Sequence, residues 1–372
     1  MYMLIDVNSP LVAEAVTSFE PWTSYYAAYL NHTFAVVEAF SDYPNTLLFF
    51  SGNEVINDVP TAEFVPPYLR AVTRDLKNYI KNNVKRAIPV GYSAADVRDV
   101  LWDTWNYMQC AENGDINDIS RADLFALNSY SWCGPDATFE LSTFGDLVKG
   151  FEQSSIPIFF SEYGCIKPKP RYWNETQSIY GTDMEKVFSG GVVYEWTEED
   201  NGYGLAKIDG DTLTLMGDYN RLKDQFAKID WESLQSTKAD SNTPKPPACK
   251  SSLITVEGFD SNFTLPVVPP GAQTLIDNGI KSKPSGKLVD ISDWSVTMKV
   301  MDANGNEMTN LKVVPLANDE FNWPGRNNAT TGSSSSGSDS GDGGKQDEDS
   351  GAWALHQTGW AMAIPLLAAF LI

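Results

Sequence analysis

Histidine is nearly missing: the 372 residues contain only His32 and His356. Ser-His-Asp and Cys-His systems and multi-histidine metal centres need an imidazole inside a structured site. His32 sits in Asn31-His32-Thr33 and His356 follows a low-complexity tract near the terminus, so histidine chemistry is not expected. Cations are scarce as well, 27 Lys and Arg against 49 Asp and Glu, a formal charge of −22. That balance disfavours nucleic acid, whose phosphates are bound by cations, and leaves a neutral or cationic partner. Close cysteine pairs are absent. Cys110, Cys133, Cys165 and Cys249 show none of the CxxC spacings of zinc or redox motifs, and their even number fits two disulfides, with four buried thiols as the alternative.

Long apolar runs are lacking too. The stretch 360–372, WAMAIPLLAAFLI, spans roughly 20 Å as a helix, short of the ~30 Å bilayer core. It follows TGSSSSGSDSGDGGKQDEDSGA at 331–352, too polar to pack, and the short spacer WALHQTG. Small residues, spacer and apolar tail match a GPI-attachment signal, with Ser350 as the attachment residue and Asp342 or Gly343 as rivals. A weak membrane-surface helix is the alternative. Sequons at Asn31, Asn174, Asn262 and Asn328 fit a secretory route. The beginning, MYMLIDVNSP, has neither the basic nor the apolar region of a signal peptide and reads at once as a strand. The expectation is a truncated or fragmentary chain.

What is present is aromatic and apolar. Eleven tryptophans and 16 tyrosines suit stacking on sugar rings, although aromatics more often fill a core. Six apolar runs, 2–7, 46–51, 87–92, 123–130, 156–164 and 191–196, alternate with helix-compatible stretches at 25–40, 67–82, 95–100 and 140–153. Strands covered by helices on both faces and alternating β and α units imply a parallel sheet. The region suits a TIM (β/α)8-type barrel that lacks about two N-terminal strands of the required eight. After Cys249, period-two alternation from Trp294 and the turn signal Asn304-Gly305, with a return strand at Leu311 to Val314, suggest short strands. The expected organisation is a barrel over 1–242, a β-rich appendage over 243–326, a disordered linker over 327–352 and a signal spacer and tail over 353–372.

Functional residues of such barrels sit where strands end. One run ends Ser51-Gly52-Asn53-Glu54 and another ends Ser161-Glu162-Tyr163-Gly164, and the two runs are three strands apart. In barrel order they are strands four and seven, which face each other. A retaining glycosidase needs such a pair, ~5–5.5 Å apart, one acid protonating the leaving oxygen and one carboxylate attacking the anomeric carbon. For either glutamate by itself, a solvated or salt-bridged loop residue is the plainer reading. Asn53 is expected at the sugar 2-hydroxyl, and Tyr130 and Tyr194, also at strand ends, are expected to position the nucleophile or line the sugar site.

SGNEVIND (51–58), NSYSWCG (128–134), FSEYGC (160–165), YEW (194–196) and NGYGL (201–205) resemble the fungal GPI-anchored β-1,3-glucanosyltransferases of glycoside hydrolase family 72, over roughly 1–250. The resemblance implies Glu54 as acid/base and Glu162 as nucleophile. It implies a covalent glycosyl-enzyme and transfer from a donor to an acceptor β-1,3-glucan chain, without cofactor or metal, at the cell surface. It also implies the pairs Cys133–Cys165 and Cys110–Cys249, the second stabilising by roughly 4 kcal/mol if unstrained. The family begins with a signal peptide and about two further strands with an arginine-tyrosine motif and another cysteine pair, which this sequence lacks. A hydrolytic retaining β-1,3-glucanase and a non-catalytic wall glucan binder are the competing readings.

Overall fold

The computed structural model describes residues 2–11, 13–237, 243–284 and 286–315; the linker, the tail, Ser350 and Asn328 lie outside them. Strand and helix alternate from the start: β1 (Met3–Asp6), α1 (Ala27–Ser41), β2 (Thr46–Asn53), α2 (Pro66–Asn83), β3 (Val90–Ala95), α3 (Arg98–Gln109), β4 (Phe125–Ser129), α4 (Phe144–Phe151), β5 (Ile158–Tyr163), α5 (Glu175–Ile179) and β6 (Phe188–Val193). The six strands form one parallel sheet in chain order, β1 to β6, the βα succession of a TIM-type barrel. Its two margins, β1 and β6, do not pair with each other. The four residues of β1 are accordingly only half-buried.

Side chains alternate between faces in a strand, and both faces here are apolar. Phe49, Val90, Tyr92, Phe125, Leu127, Ile158 and Phe160 join Leu69, Leu76, Leu101, Trp105 and Phe151 of the helices in the main core. Leu48, Phe50, Leu124, Ala126 and Phe159 make a second cluster on the opposite, inner face. Continuous apolar runs in the sequence have this origin, and each fully buried Phe or Leu contributes roughly 1.5–3 kcal/mol.

The ladder shifts register at several places along the sheet, and two of them lie beside the glutamates. Between β2 and β3 the partners step from Phe50 to Asn53 on one strand but only from Gly91 to Ser93 on the other. Between β4 and β5 they step from Leu127 to Asn128 against Phe160 to Glu162. Each mismatch is one extra residue, a bulge, and an extra residue exchanges the two faces of everything beyond it. Asn53 and Glu162, otherwise destined for the helix side, thereby align with the inward-facing Ser93 and Asn128.

The remaining elements are β7 (Ala206–Asp209), β8 (Thr212–Leu215), α6 (Gly217–Phe226), α7 (Trp231–Ser236), α8 (Ala272–Asn278), β9 (Lys299–Met301) and β10 (Glu307–Met308). Strands β7 to β10 form one sheet, with β8 parallel to β9, so the sheet draws strands from both sides of the expected junction. Residues 247–280 instead line the outside of the barrel. Cys110–Cys249 pins the start, Asp103 accepts from the amides of Thr255 and Val256 at 2.8 and 2.7 Å, and Tyr107 stacks on Phe263 at 4.5 Å. Phe259, Ala272, Ile276 and Ile280 enter the main core. Those apolar residues had no period-two neighbours, and the prolines around them favour extended backbone over a ladder. Asn304-Gly305 does turn the hairpin from β9 to β10, with Asp302 accepting from the amides of Asn304 and Asn306.

Candidate active site

Glu54 follows β2 directly, in left-handed backbone at φ 49°, and its amide donates to the Ser93 carbonyl at 2.8 Å. Nearby, the Ile56 amide donates to the Tyr92 hydroxyl at 3.1 Å, fixing the chain as it leaves the strand. The side chain is held from β4: Asn128 Nδ2 donates to Glu54 Oε1 at 3.0 Å and to Asn53 Oδ1 at 3.1 Å. Asn128 is itself buried and accepts at Oδ1 from Ser161 at 2.6 Å and Ser93 at 3.2 Å. In the ladder Asn128 is the partner of Glu162. One amide therefore joins the two strands that carry the glutamates.

Glu162, half-buried on β5, accepts a 2.5 Å hydrogen bond from the Tyr130 hydroxyl at Oε2. Burial pushes its carboxyl above the ordinary range, the Tyr130 bond pulls it back, and the charges of Glu54 and Glu195 push it up again. The phenol is the counterweight that favours a carboxylate there. Tyr130, Tyr194 and Tyr203 pack edge to face in a triangle, with centroids 5.3 to 6.2 Å apart. The Tyr194 hydroxyl accepts from Asn201 Nδ2 at 3.3 Å, so this residue meets the site through its ring.

Covalent cross-linking surrounds this arrangement. Cys133 lies three residues after Tyr130 and Cys165 three after Glu162, and they form a disulfide with Cα atoms 5.2 Å apart. Between Glu162 and Cys165 the chain turns at Gly164, φ 126°, where a Cβ would meet the Trp173 ring at 2.5 Å. Among the described residues, no three His, Cys, Asp or Glu side chains converge as a metal site would require.

All five residues singled out in the sequence stand at this one end of the sheet. Asn128, Tyr203, Glu195 and Arg171 were not among them. Asn128 ends a strand by the same rule that found Glu54, and Tyr203 lies inside NGYGL. Arg171 left no signal, because its partners are backbone carbonyls 23 to 33 residues away and the Asp218 carboxylate 47 residues away.

A second carboxyl nearby lies fully within the core. Glu175, 4% exposed, opens α5, and burial pushes its carboxyl up to about 7, with Arg171 opposing weakly. An acid held protonated by the fold favours folding below its unfolded value near 4.5, and that contribution is lost as pH rises through 7. Glu175→Gln is therefore expected to raise stability at pH 7.5 by about 3 kcal/mol and to leave it unchanged at pH 4. Denaturant melts at the two pH values measure this, and equal effects at both would refute the burial argument.

The sequence profile of the family described as Glucanosyltransferase matches residues 1–230. The 1,3-beta-glucanosyltransferase gel2 of Aspergillus fumigatus is 46% identical over 326 residues, covering 87% of this chain and 67% of that protein. The probable 1,3-beta-glucanosyltransferase GAS3 of Saccharomyces cerevisiae is 41% identical, covering 80% and 58% respectively. Among solved structures, Saccharomyces cerevisiae Gas2p in complex with laminaritriose and laminaritetraose is similar with TM-score 0.63 and 33% identity, over 73% of this chain and 60% of that one. The chain thus spans about three fifths to two thirds of the relatives it matches.

Proposed function

The chain belongs to the glucanosyltransferase family, glycoside hydrolase family 72, and on that premise we propose that it is a retaining transglycosylase acting on β-1,3-glucan. Glu54 as the acid gives its proton to the glycosidic oxygen of a bound donor chain, while the Glu162 carboxylate attacks the anomeric carbon. The glycosidic bond breaks, the reducing-end fragment leaves, and a glycosyl ester forms on Glu162 with inversion. Glu54, now a carboxylate, takes the proton of a hydroxyl at the non-reducing end of an acceptor chain. That oxygen attacks the same carbon, inverts it again and frees Glu162. One β-1,3 bond is broken and one is made, without metal or cofactor.

The observation that carries this reading is the Asn128 bridge, which ties Glu54 to the strand partner of Glu162. Tyr130 supports the nucleophile role by stabilising a carboxylate at Glu162. Asn53, exposed and oriented by Asn128, is available for a sugar hydroxyl, and Tyr194 for a sugar face. The oligosaccharides bound to Gas2p support β-1,3-glucan as the ligand class. Incubation with laminari-oligosaccharides of one length is expected to give products longer than the substrate. Shorter products alone would establish hydrolysis instead.

The site faces a cell-wall polymer, and the C-terminal signal fits the same setting. We place the protein at the cell surface on a GPI anchor, with Ser350 as the attachment residue. Phosphatidylinositol-specific phospholipase is expected to release the mature protein from membranes; retention of residues 360–372 in that protein would rule the anchor out.

A further inference from the structure

Arg171 is a buried charged group in the walls of this site that does not touch Glu54 or Glu162. The residue is 2% exposed. Nε donates to Asp218 Oδ2 at 2.7 Å, Nη1 to the Tyr194 carbonyl at 2.9 Å, and Nη2 to the carbonyls of Tyr203 and Gly204 at 2.6 and 3.2 Å. Its guanidinium stacks on Trp173 at 4.3 Å, and the Trp173 indole donates to the Asp218 carbonyl at 3.0 Å. Arg221 completes the node, paired with Asp218 and donating to the Arg171 carbonyl at 2.8 Å. The node thus clasps both ends of the 194–204 loop to the start of α6, and the strap bearing Arg171 begins at Cys165, already cross-linked to Cys133.

Fixing those carbonyls fixes the backbones of Tyr194 and Tyr203. Their rings pack edge-on to Tyr130, and Tyr130 donates to Glu162. We propose that Arg171 is a positioning residue for the nucleophile, acting through the tyrosine triangle to hold the Tyr130 hydroxyl on Glu162. Only an arginine serves here. A planar fork with five N–H donors satisfies one carboxylate and three carbonyls in fixed directions, whereas the three donors of a lysine ammonium converge on one atom. The inference rests on the retaining mechanism above, and it assigns to that mechanism a residue outside the reacting shell.

The test uses the full chain and laminari-oligosaccharides. Arg171→Lys keeps the charge beside Asp218 but not the fork. It is expected to lower kcat about 10- to 100-fold with KM changed less than about threefold, since the groups that bind sugar remain. The double variant Arg171→Lys with Tyr130→Phe is expected to be no slower than Tyr130→Phe alone, because both act on the same hydrogen bond. Additive losses, or an unchanged kcat in soluble Arg171→Lys, would overturn the assignment. Should Arg171→Lys not fold, Asp218→Asn, which loosens the node and keeps the arginine, carries the same comparison: a smaller kcat loss, non-additive with Tyr130→Phe, supports the proposal, and additivity or no loss refutes it. Wild-type protein inactive on every β-1,3-glucan would instead overturn the functional reading, so the two failures are separable.

Discussion

Glu162→Gln is expected to lower turnover of β-1,3-oligosaccharides by on the order of 10⁴-fold or more while leaving their binding in place. An amide has the size of the carboxylate but cannot form the glycosyl ester, and it still occupies the Tyr130 bond. The division of labour with Glu54 is open to a stereochemical assay. With an activated aryl laminarioside and added azide, Glu162→Ala is expected to yield the α-glycosyl azide, because the anion attacks from the emptied nucleophile face in a single inversion. Glu54→Ala still forms the ester on Glu162 and is expected to yield the β-glycosyl azide through two inversions. The same anomer from both variants would sink the assigned roles, and a Glu162→Gln enzyme with normal kcat would remove the residue from the mechanism.

Tyr130→Phe is the second large effect, and its signature is its pH dependence. The hydroxyl donates to Glu162 and so favours the ionised form. Removing it raises the carboxyl's pKa, and a smaller fraction of nucleophile is ionised at any acidic pH. A hydrogen bond to a charged group contributes about 1.5–3 kcal/mol, which corresponds to an acid limb of the kcat/KM profile shifted upward by about 1–2 pH units. The loss is therefore expected to reach about 10- to 150-fold on the acid side and to shrink toward neutral pH. A loss of equal size at every pH would show that Tyr130 serves only as a wall for the sugar.

Most of the barrel was legible because its strands are buried on both faces, and runs such as TLLFFS leave no other reading. Glu54, Glu162 and Tyr130 were found by one rule, the placement of functional side chains at strand exits. Glu195 and Asn128 also stand at strand exits, inside YEW and NSYSWCG, but an asparagine or a glutamate there shows no role until the neighbour it bonds is known. The segment 247–280 defeated local reading for a different reason. Before α8 its apolar residues belong to no helix or strand period of their own, and Ala272, Leu275 and Ile276 keep helical spacing for only the two turns of α8; the segment as a whole is organised by grooves on α1, α2 and α3. Nothing in a linear pattern records which outer surface a proline-rich segment will cover.

The two ladder mismatches give the site an unusual vulnerability. Gly52 and Ser161 supply spacing, for they lie within the stretches where β2 and β5 each carry one residue more than the neighbouring strand. The chemistry is consequently encoded partly as a count. Substitutions at these positions leave the phase of each strand intact, whereas deleting Ser161 would rotate the nucleophile into the layer between sheet and helices with every catalytic residue still present. Any search for active descendants of this chain should treat the reading distance to each glutamate as strictly as the glutamates themselves.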